Sequence, residues 1–179
     1  ISCGSACRLL EYIATAGLVI DWILETHAHA DHLTAGAWLR ERTQAKLALG
    51  AGIVEVQRTF KRLLDLGDEF VADGAQFDRL FEDGDTFAIG DLDAHVIATP
   101  GHTPDGVSYR VGDAVFVGDT LFAPHAGTAR CDFPGCDVAA LYRSIGRLYD
   151  HPDTTRVFIC HAYPAQDAET LAHTTIATQ

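Results

Sequence analysis

The chain contains no methionine and opens on Ile1, so it is read as a processed or trimmed product from which N-terminal elements are expected to be missing. It is also poor in positive charge: 13 Lys and Arg stand against 25 Asp and Glu, for a net charge of −12 with His neutral. Those basic residues are scattered, which argues against nucleic acid as a partner, because neutralising phosphates needs a basic patch. No apolar run approaches the roughly 18 residues of a membrane span, and no basic stretch leads into an apolar one at the start, so neither membrane insertion nor a secretory leader is expected. The five cysteines (Cys3, Cys7, Cys131, Cys136, Cys160) are odd in number and include no C-x-x-C pair. A disulfide framework is therefore not expected, and a reducing cytoplasm is the compartment that fits. Cys131 and Cys160 read as small buried apolar residues rather than nucleophiles. With 47% hydrophobic residues over 179 positions, the chain has enough apolar material for one core, and residues 1–179 are expected to form a single domain.

The apolar periodicity alternates between helix and strand. Leu9, Leu10 and Ile13 predict a helix over 5–16 that Gly17 stops, and 19–24 reads as a buried strand. Thr34 is placed to cap a helix over 35–42, with its amino end toward the site described next. A short strand at 46–49 precedes a helix over 53–66, and 67–84 reads as loop packed down by Phe70, Phe77 and Phe81. Strands follow at 86–89, 94–99, 107–111 and 114–118. The cleanest helix runs through Val138, Leu141, Tyr142, Ile145, Leu148 and Tyr149; a strand at 156–160 and a final helix over 167–177 complete the chain. This order predicts sheet against sheet with helices outside.

Four of the strand-like runs are followed at once by metal-binding side chains. The first leads into Thr26-His27-Ala28-His29-Ala30-Asp31-His32; His102 follows 95–98, Asp119 follows 115–118, and His161 follows 157–160. Imidazole mixed with carboxylate suits Zn, Fe or Mn better than Ca or Mg. A single His is more often a satisfied core or surface residue, and a single Gly-Asp-Thr more often a turn. Seven such residues recurring at four strand ends have no structural reason to coincide, and strand ends are where open α/β sheets place their ligands.

His27-x-His29-x-Asp31-His32, with His102, Asp119 and His161 in order, resembles the metallo-β-lactamase superfamily. The resemblance implies an α/β fold of the αββα type, two mixed sheets packed face to face with helices outside. A strand pair normally ahead of the first helix is absent here. Gly127-Thr128-Ala129-Arg130-Cys131-Asp132-Phe133-Pro134-Gly135, followed by Leu141-Tyr142-Arg143-Ser144, is similar to the persulfide (sulfur) dioxygenases, a subgroup related in fold to glyoxalase II.

That resemblance implies an oxidoreductase with one Fe(II) per chain, which oxidises glutathione persulfide or a similar small persulfide with O2 to sulfite and thiol. His27, His102 and Asp119 would be the metal ligands and catalytic centre, leaving positions open for substrate sulfur and O2. His29, Asp31, His32 and His161 would surround a second position, and Arg130 would pair with a carboxylate of the thiol carrier. A homodimer is the assembly to test for.

The chain departs from the subgroup at His125-Ala126, where an Asp-Tyr pair is expected, and at Ala162, where an Asp usually follows the last His. Two alternatives stay open. One is a dinuclear zinc thioester hydrolase like glyoxalase II, in which His27, His29 and His102 hold one metal, Asp31, His32 and His161 the other, and Asp119 bridges. The other is a non-catalytic metal-binding or sulfur-carrier module.

Overall fold

The computed structural model describes residues 4–28, 33–163 and 172–179. Helix α1 (Gly4–Ala16) ends where Gly17 takes a left-handed φ of 64°, and it leads to β1 (Trp22–Leu24), α2 (Gly36–Thr43), β2 (Lys46–Gly50), α3 (Ile53–Leu63) and β3 (Arg79–Phe81). Strands β1, β2 and β3 form a parallel sheet in that order, with Trp22 opposite Lys46 and Ala48 opposite Arg79. Each parallel neighbour is reached through a helix, as a parallel connection requires.

The second sheet has six strands in chain order: β4 (Thr86–Ile89), β5 (Leu92–Ala98), β6 (Val107–Val111), β7 (Ala114–Phe116), β8 (Arg156–Phe158) and β9 (His173–Thr175). Its neighbours are antiparallel except β7 and β8, which are parallel and joined through α4 (Val138–Tyr149). Strands β5, β7 and β8 consequently run in one direction and end on one edge. Asp137 starts α4 by accepting hydrogen bonds at Oδ1 from the amides of Ala139 and Ala140, at 2.8 and 3.0 Å.

The sheets meet through aromatic side chains. Trp22, Ala48 and Phe81 of the first sheet pack on Phe87, Val96 and Tyr109 of the second. The rings of Phe81 and Phe87 stack at 4.7 Å, and Trp22 meets Phe87 edge-on at 5.2 Å while its Nε1 donates to the Ala88 carbonyl at 3.0 Å. On the outer faces, Ile53 and Val56 of α3 cover Leu49, and Leu148 of α4 covers Val115 and Val157. The layers are thus helix, sheet, sheet, helix, as the resemblance implied.

Several boundaries differ from the sequence expectations. The first strand begins at Trp22 rather than at 19, and Val19 is 86% exposed. The stretch read as loop contains β3, whose three residues are too few to show an alternating pattern, although Phe81 in it is fully buried. Helix α2 begins at Gly36, one residue later than expected, with Ala35 rather than Thr34 at its N-cap, although Thr34 Oγ1 accepts from the Gly36 amide at 2.8 Å. The expected final helix over 167–177 is not formed in its described part. Residues 173–175 pair with β8, where the β-branched Thr174 and Thr175 suit a strand, and 176–178 make a single 3₁₀ turn. Residues 167–171 of that expectation lie outside the described residues.

Phe81 touches both sheets and is 1% exposed, so Phe81→Ala leaves an unfilled space at their centre. Urea unfolding is expected to show a loss of about 3–5 kcal/mol. A loss below about 1 kcal/mol would show that the sheets repack without it.

Candidate metal centre

Strand order and the packing of the two sheets bring four of the expected ligand residues together. His27 follows β1, His102 lies in the turn between β5 and β6, Asp119 follows β7, and His161 follows β8. One ligand atom each from His27, His102 and Asp119 lie within 4.8 Å of one another. Asp119 Oδ2 is 3.7 Å from His27 Nε2 and 3.6 Å from His102 Nε2, spacings that suit atoms converging on a shared ion better than direct hydrogen bonds. The two imidazoles are nearly buried, and the Asp119 side chain is 11% exposed. A chamber of about 10 Å³, on the scale of one small ion or water, is lined by Thr26, His27, His102, Thr103, Gly118 and Asp119.

The far side of each imidazole is held. His102 Nδ1 lies 2.8 Å from the carbonyl oxygen of Arg130; that oxygen only accepts, so Nδ1 carries the proton and the Nε2 lone pair faces Asp119. His27 Nδ1 is 3.1 Å from Thr26 Oγ1. The carbonyl contact fixes the orientation and tautomer of His102 as a metal-ligating histidine requires, and the hydroxyl contact restrains the His27 ring. Asp119 Oδ1 is buried and makes no hydrogen bond, which is costly for a carboxylate unless a cation compensates it. The donor set and this orphaned oxygen therefore fit an imidazole- and carboxylate-bound metal ion.

Asp119 follows a tight approach between the two sheets. Gly118 has φ +54°, and a Cβ placed there would sit 2.6 Å from Thr26 Oγ1 and 2.7 Å from Thr26 Cβ. Only glycine satisfies both the left-handed backbone and the contact. This turn also ends β7 at Phe116, short of the expected 118.

His161 stands apart from the buried trio. It is 45% exposed, its Nε2 lies 3.5 Å from Asp119 Oδ1, and its ring stacks on Tyr163 at 5.4 Å. His29, Asp31 and His32 lie outside the described residues. The Arg130 guanidinium is 65% exposed; it pairs with Asp132 at 3.4 Å and covers the Phe133 ring at 4.4 Å, so only its main chain reaches His102. His125 donates from Nε2 to the Tyr163 carbonyl at 2.9 Å. Cys131 is half-buried and Cys160 exposed as a residue, so neither is the buried apolar filler expected. Burial of the Cys160 thiol itself, and then the Asp119 charge, push its pKa up to about 11, which keeps it a poor nucleophile.

Asp105 was not singled out from the sequence, where Pro104-Asp105-Gly106 reads as an ordinary turn. It is 1% exposed, and Oδ2 accepts from the Ala28 amide at 2.8 Å, fastening the segment that carries His27. Burial raises its pKa above the usual carboxylate range. A buried acid so close to the His motif is visible only once β6 has been set beside β1. Asp105→Ala leaves that amide unpaired and is expected to cost about 1–3 kcal/mol in urea unfolding, whereas Asp105→Asn, which keeps an acceptor, should cost less. Equal losses from both variants would show that the hydrogen bond is not what matters.

The family description "Metallo-beta-lactamase superfamily" matches residues 3–161. "Glyoxylase B2" of Dictyostelium discoideum is 47% identical over 180 residues, covering 99% of this chain and 62% of that protein. "Hydroxyacylglutathione hydrolase" of Brucella ovis is 32% identical over 154 residues, covering 85% of this chain and 52% of that protein. Among solved structures, ETHE1 from Myxococcus xanthus superposes with a TM-score of 0.75 at 34% identity, covering 97% of this chain and 66% of that one. The chain thus spans about three fifths or less of the length of these two curated relatives. Fold and family match agree, and the chain belongs to the metallo-β-lactamase superfamily.

Proposed function

We propose that the chain carries the metal centre of a persulfide dioxygenase, with one Fe(II) held by His27, His102 and Asp119. The observation that carries this reading is the hydrogen bond between His102 and the Arg130 carbonyl. The stretch that resembles persulfide dioxygenases, Gly127–Gly135, is thereby built onto a ligand of the centre rather than lying elsewhere on the surface. The likeness to ETHE1 supports the same direction. When bound, iron would supply the redox-active site that O2 needs, which a purely Lewis-acidic metal does not. The protein's own part is to present two imidazoles and one carboxylate in a nearly buried corner, with the half-exposed His161 beside Asp119. Arg130 would recognise an anionic carrier such as glutathione, and to do so must exchange its Asp132 partner for the substrate carboxylate.

A second reading rests on Asp119. Its Oδ2 faces His27 and His102 while Oδ1 faces His161, the division expected of a carboxylate bridging two metals. Together with the names of the glyoxylase and hydroxyacylglutathione hydrolase relatives, this favours a dinuclear thioester hydrolase.

The readings separate on metal content and product. For the dioxygenase, Fe(II)-loaded protein consumes O2 with glutathione persulfide, and Asp31→Ala keeps about one iron per chain with activity lowered on the order of 10 to 100-fold or less. Two metals in the wild type that fall to one in Asp31→Ala, with thioester hydrolysis and no O2 uptake, would reverse the assignment. Turnover of neither substrate would leave the binding-module alternative.

Arg130→Ala removes a contact remote from the sulfur, so it should raise KM roughly 10-fold with kcat nearly unchanged. A loss confined to kcat in steady-state assays would place its action at the metal instead.

A further inference from the structure

The segment that holds His102 contains two cysteines, Cys131 and Cys136. Phe133-Pro134-Gly135-Cys136 forms a turn in which the Cys136 amide donates to the Phe133 carbonyl at 3.1 Å and Gly135 takes φ +90°, the conformation of a type II turn with proline second and glycine third. The turn brings Cys136 back toward Cys131, since the Cys131 thiol and the amide of Asp137, next to Cys136, reach the same carbonyl oxygen. Both residues are half-buried and free. Cys131 Sγ also donates to the Gly101 carbonyl at 3.1 Å, and the Asp137 amide donates to the same oxygen at 2.9 Å. The loop is therefore clamped at both ends to the residue before His102, while Arg130, adjacent to Cys131, holds the His102 ring.

We propose that Cys131 and Cys136 are a redox modification site, a reversible dithiol–disulfide pair whose closure loosens the grip on His102. The oxidant is a small-molecule disulfide. The Cys136 thiolate attacks one sulfur of the disulfide, forms a mixed disulfide and releases one thiol. Cys131 then gives up its proton and attacks the Cys136 sulfur, and the second thiol leaves. Two protein thiols are oxidised and one disulfide is reduced. Cys136 attacks first because Cys131 is engaged with Gly101, and burial followed by the neighbouring Cys136 raises the Cys131 pKa.

Closure abolishes the hydrogen bond from Cys131 to Gly101, since a disulfide has no S–H to donate. The main chain from Arg130 to Cys131 then loses one anchor, and the Arg130 carbonyl shifts against His102 Nδ1. Disturbing such a contact behind a ligating histidine lowers metal affinity by about 10-fold at the lower end of what is typical. This second step rests on His102 being a metal ligand, whereas disulfide formation does not.

The test treats the full chain, free of metal, with glutathione disulfide. Trypsin cuts after Arg130 and Arg143, so both thiols fall in one peptide. The expected result is a loss of two hydrogens from that peptide, reversed by dithiothreitol, with Zn(II) affinity in chelator competition about 10-fold weaker after oxidation and recovered on reduction. Cys136→Ser should take at most a glutathione adduct at Cys131 and form no crosslink. Free thiols at both positions after treatment, with adducts only on the exposed Cys7 or Cys160, would overturn the proposal. A crosslink with unchanged Zn(II) affinity would overturn its control of the centre. His102→Ala separates that outcome from a mistaken ligand set: unchanged Zn(II) affinity in this variant would remove His102 from the metal site while leaving the dithiol pair intact.

Discussion

The candidate centre exists only while two sheets keep a fixed distance. His27 belongs to the first sheet, whereas His102 and Asp119 belong to the second, and their ligand atoms converge to within 4.8 Å. An interior packed to crystal-like density holds such a separation because displacement either opens voids or forces overlap. Phe81, Phe87, Trp22 and Tyr109 provide that packing. At the edge itself, the Val107 amide donates to the Thr26 carbonyl at 2.9 Å and the Tyr109 hydroxyl to the Glu25 carbonyl at 2.8 Å. These bonds stitch the end of β1 to β6 one or two residues before His27.

Those crossings explain what was legible in the sequence. The candidate ligands and their order could be read directly, because each candidate sits just after an apolar run and chain order survives folding. The helix of Val138–Tyr149 was equally plain, since its buried residues recur at helical spacing. Relations between distant segments were not legible. Nothing in Pro104-Asp105-Gly106 announces a carboxylate bonded to Ala28, 77 residues earlier in the chain. Strand β3 and strand β9 span three residues each, so they carry no period of their own and depend on the neighbour that receives them.

Arg130 shows how one residue divides between backbone and side chain. A motif reading assigns its role to the guanidinium, yet in the fold its carbonyl is the atom that meets a candidate ligand, while the guanidinium rests on Asp132 and Phe133. The main-chain contact does not depend on residue type, and the side-chain contact does. Similarity over Gly127–Gly135 therefore reports a loop shape at least as much as a recognition chemistry. The same loop carries the paired thiols, so shape, ring orientation and oxidation state converge on a few residues.

The close approach of Gly118 to Thr26 has a practical bearing on redesign. Because backbone meets side chain there with no room for even a methyl group, the inner wall of the centre cannot be remodelled by substitution at that point. The exposed His161 and Tyr163, just after β8, are not confined in this way. Directed evolution toward a larger ion or a bulkier substrate should therefore accumulate its changes on the β8 side and leave the Gly118 corner untouched.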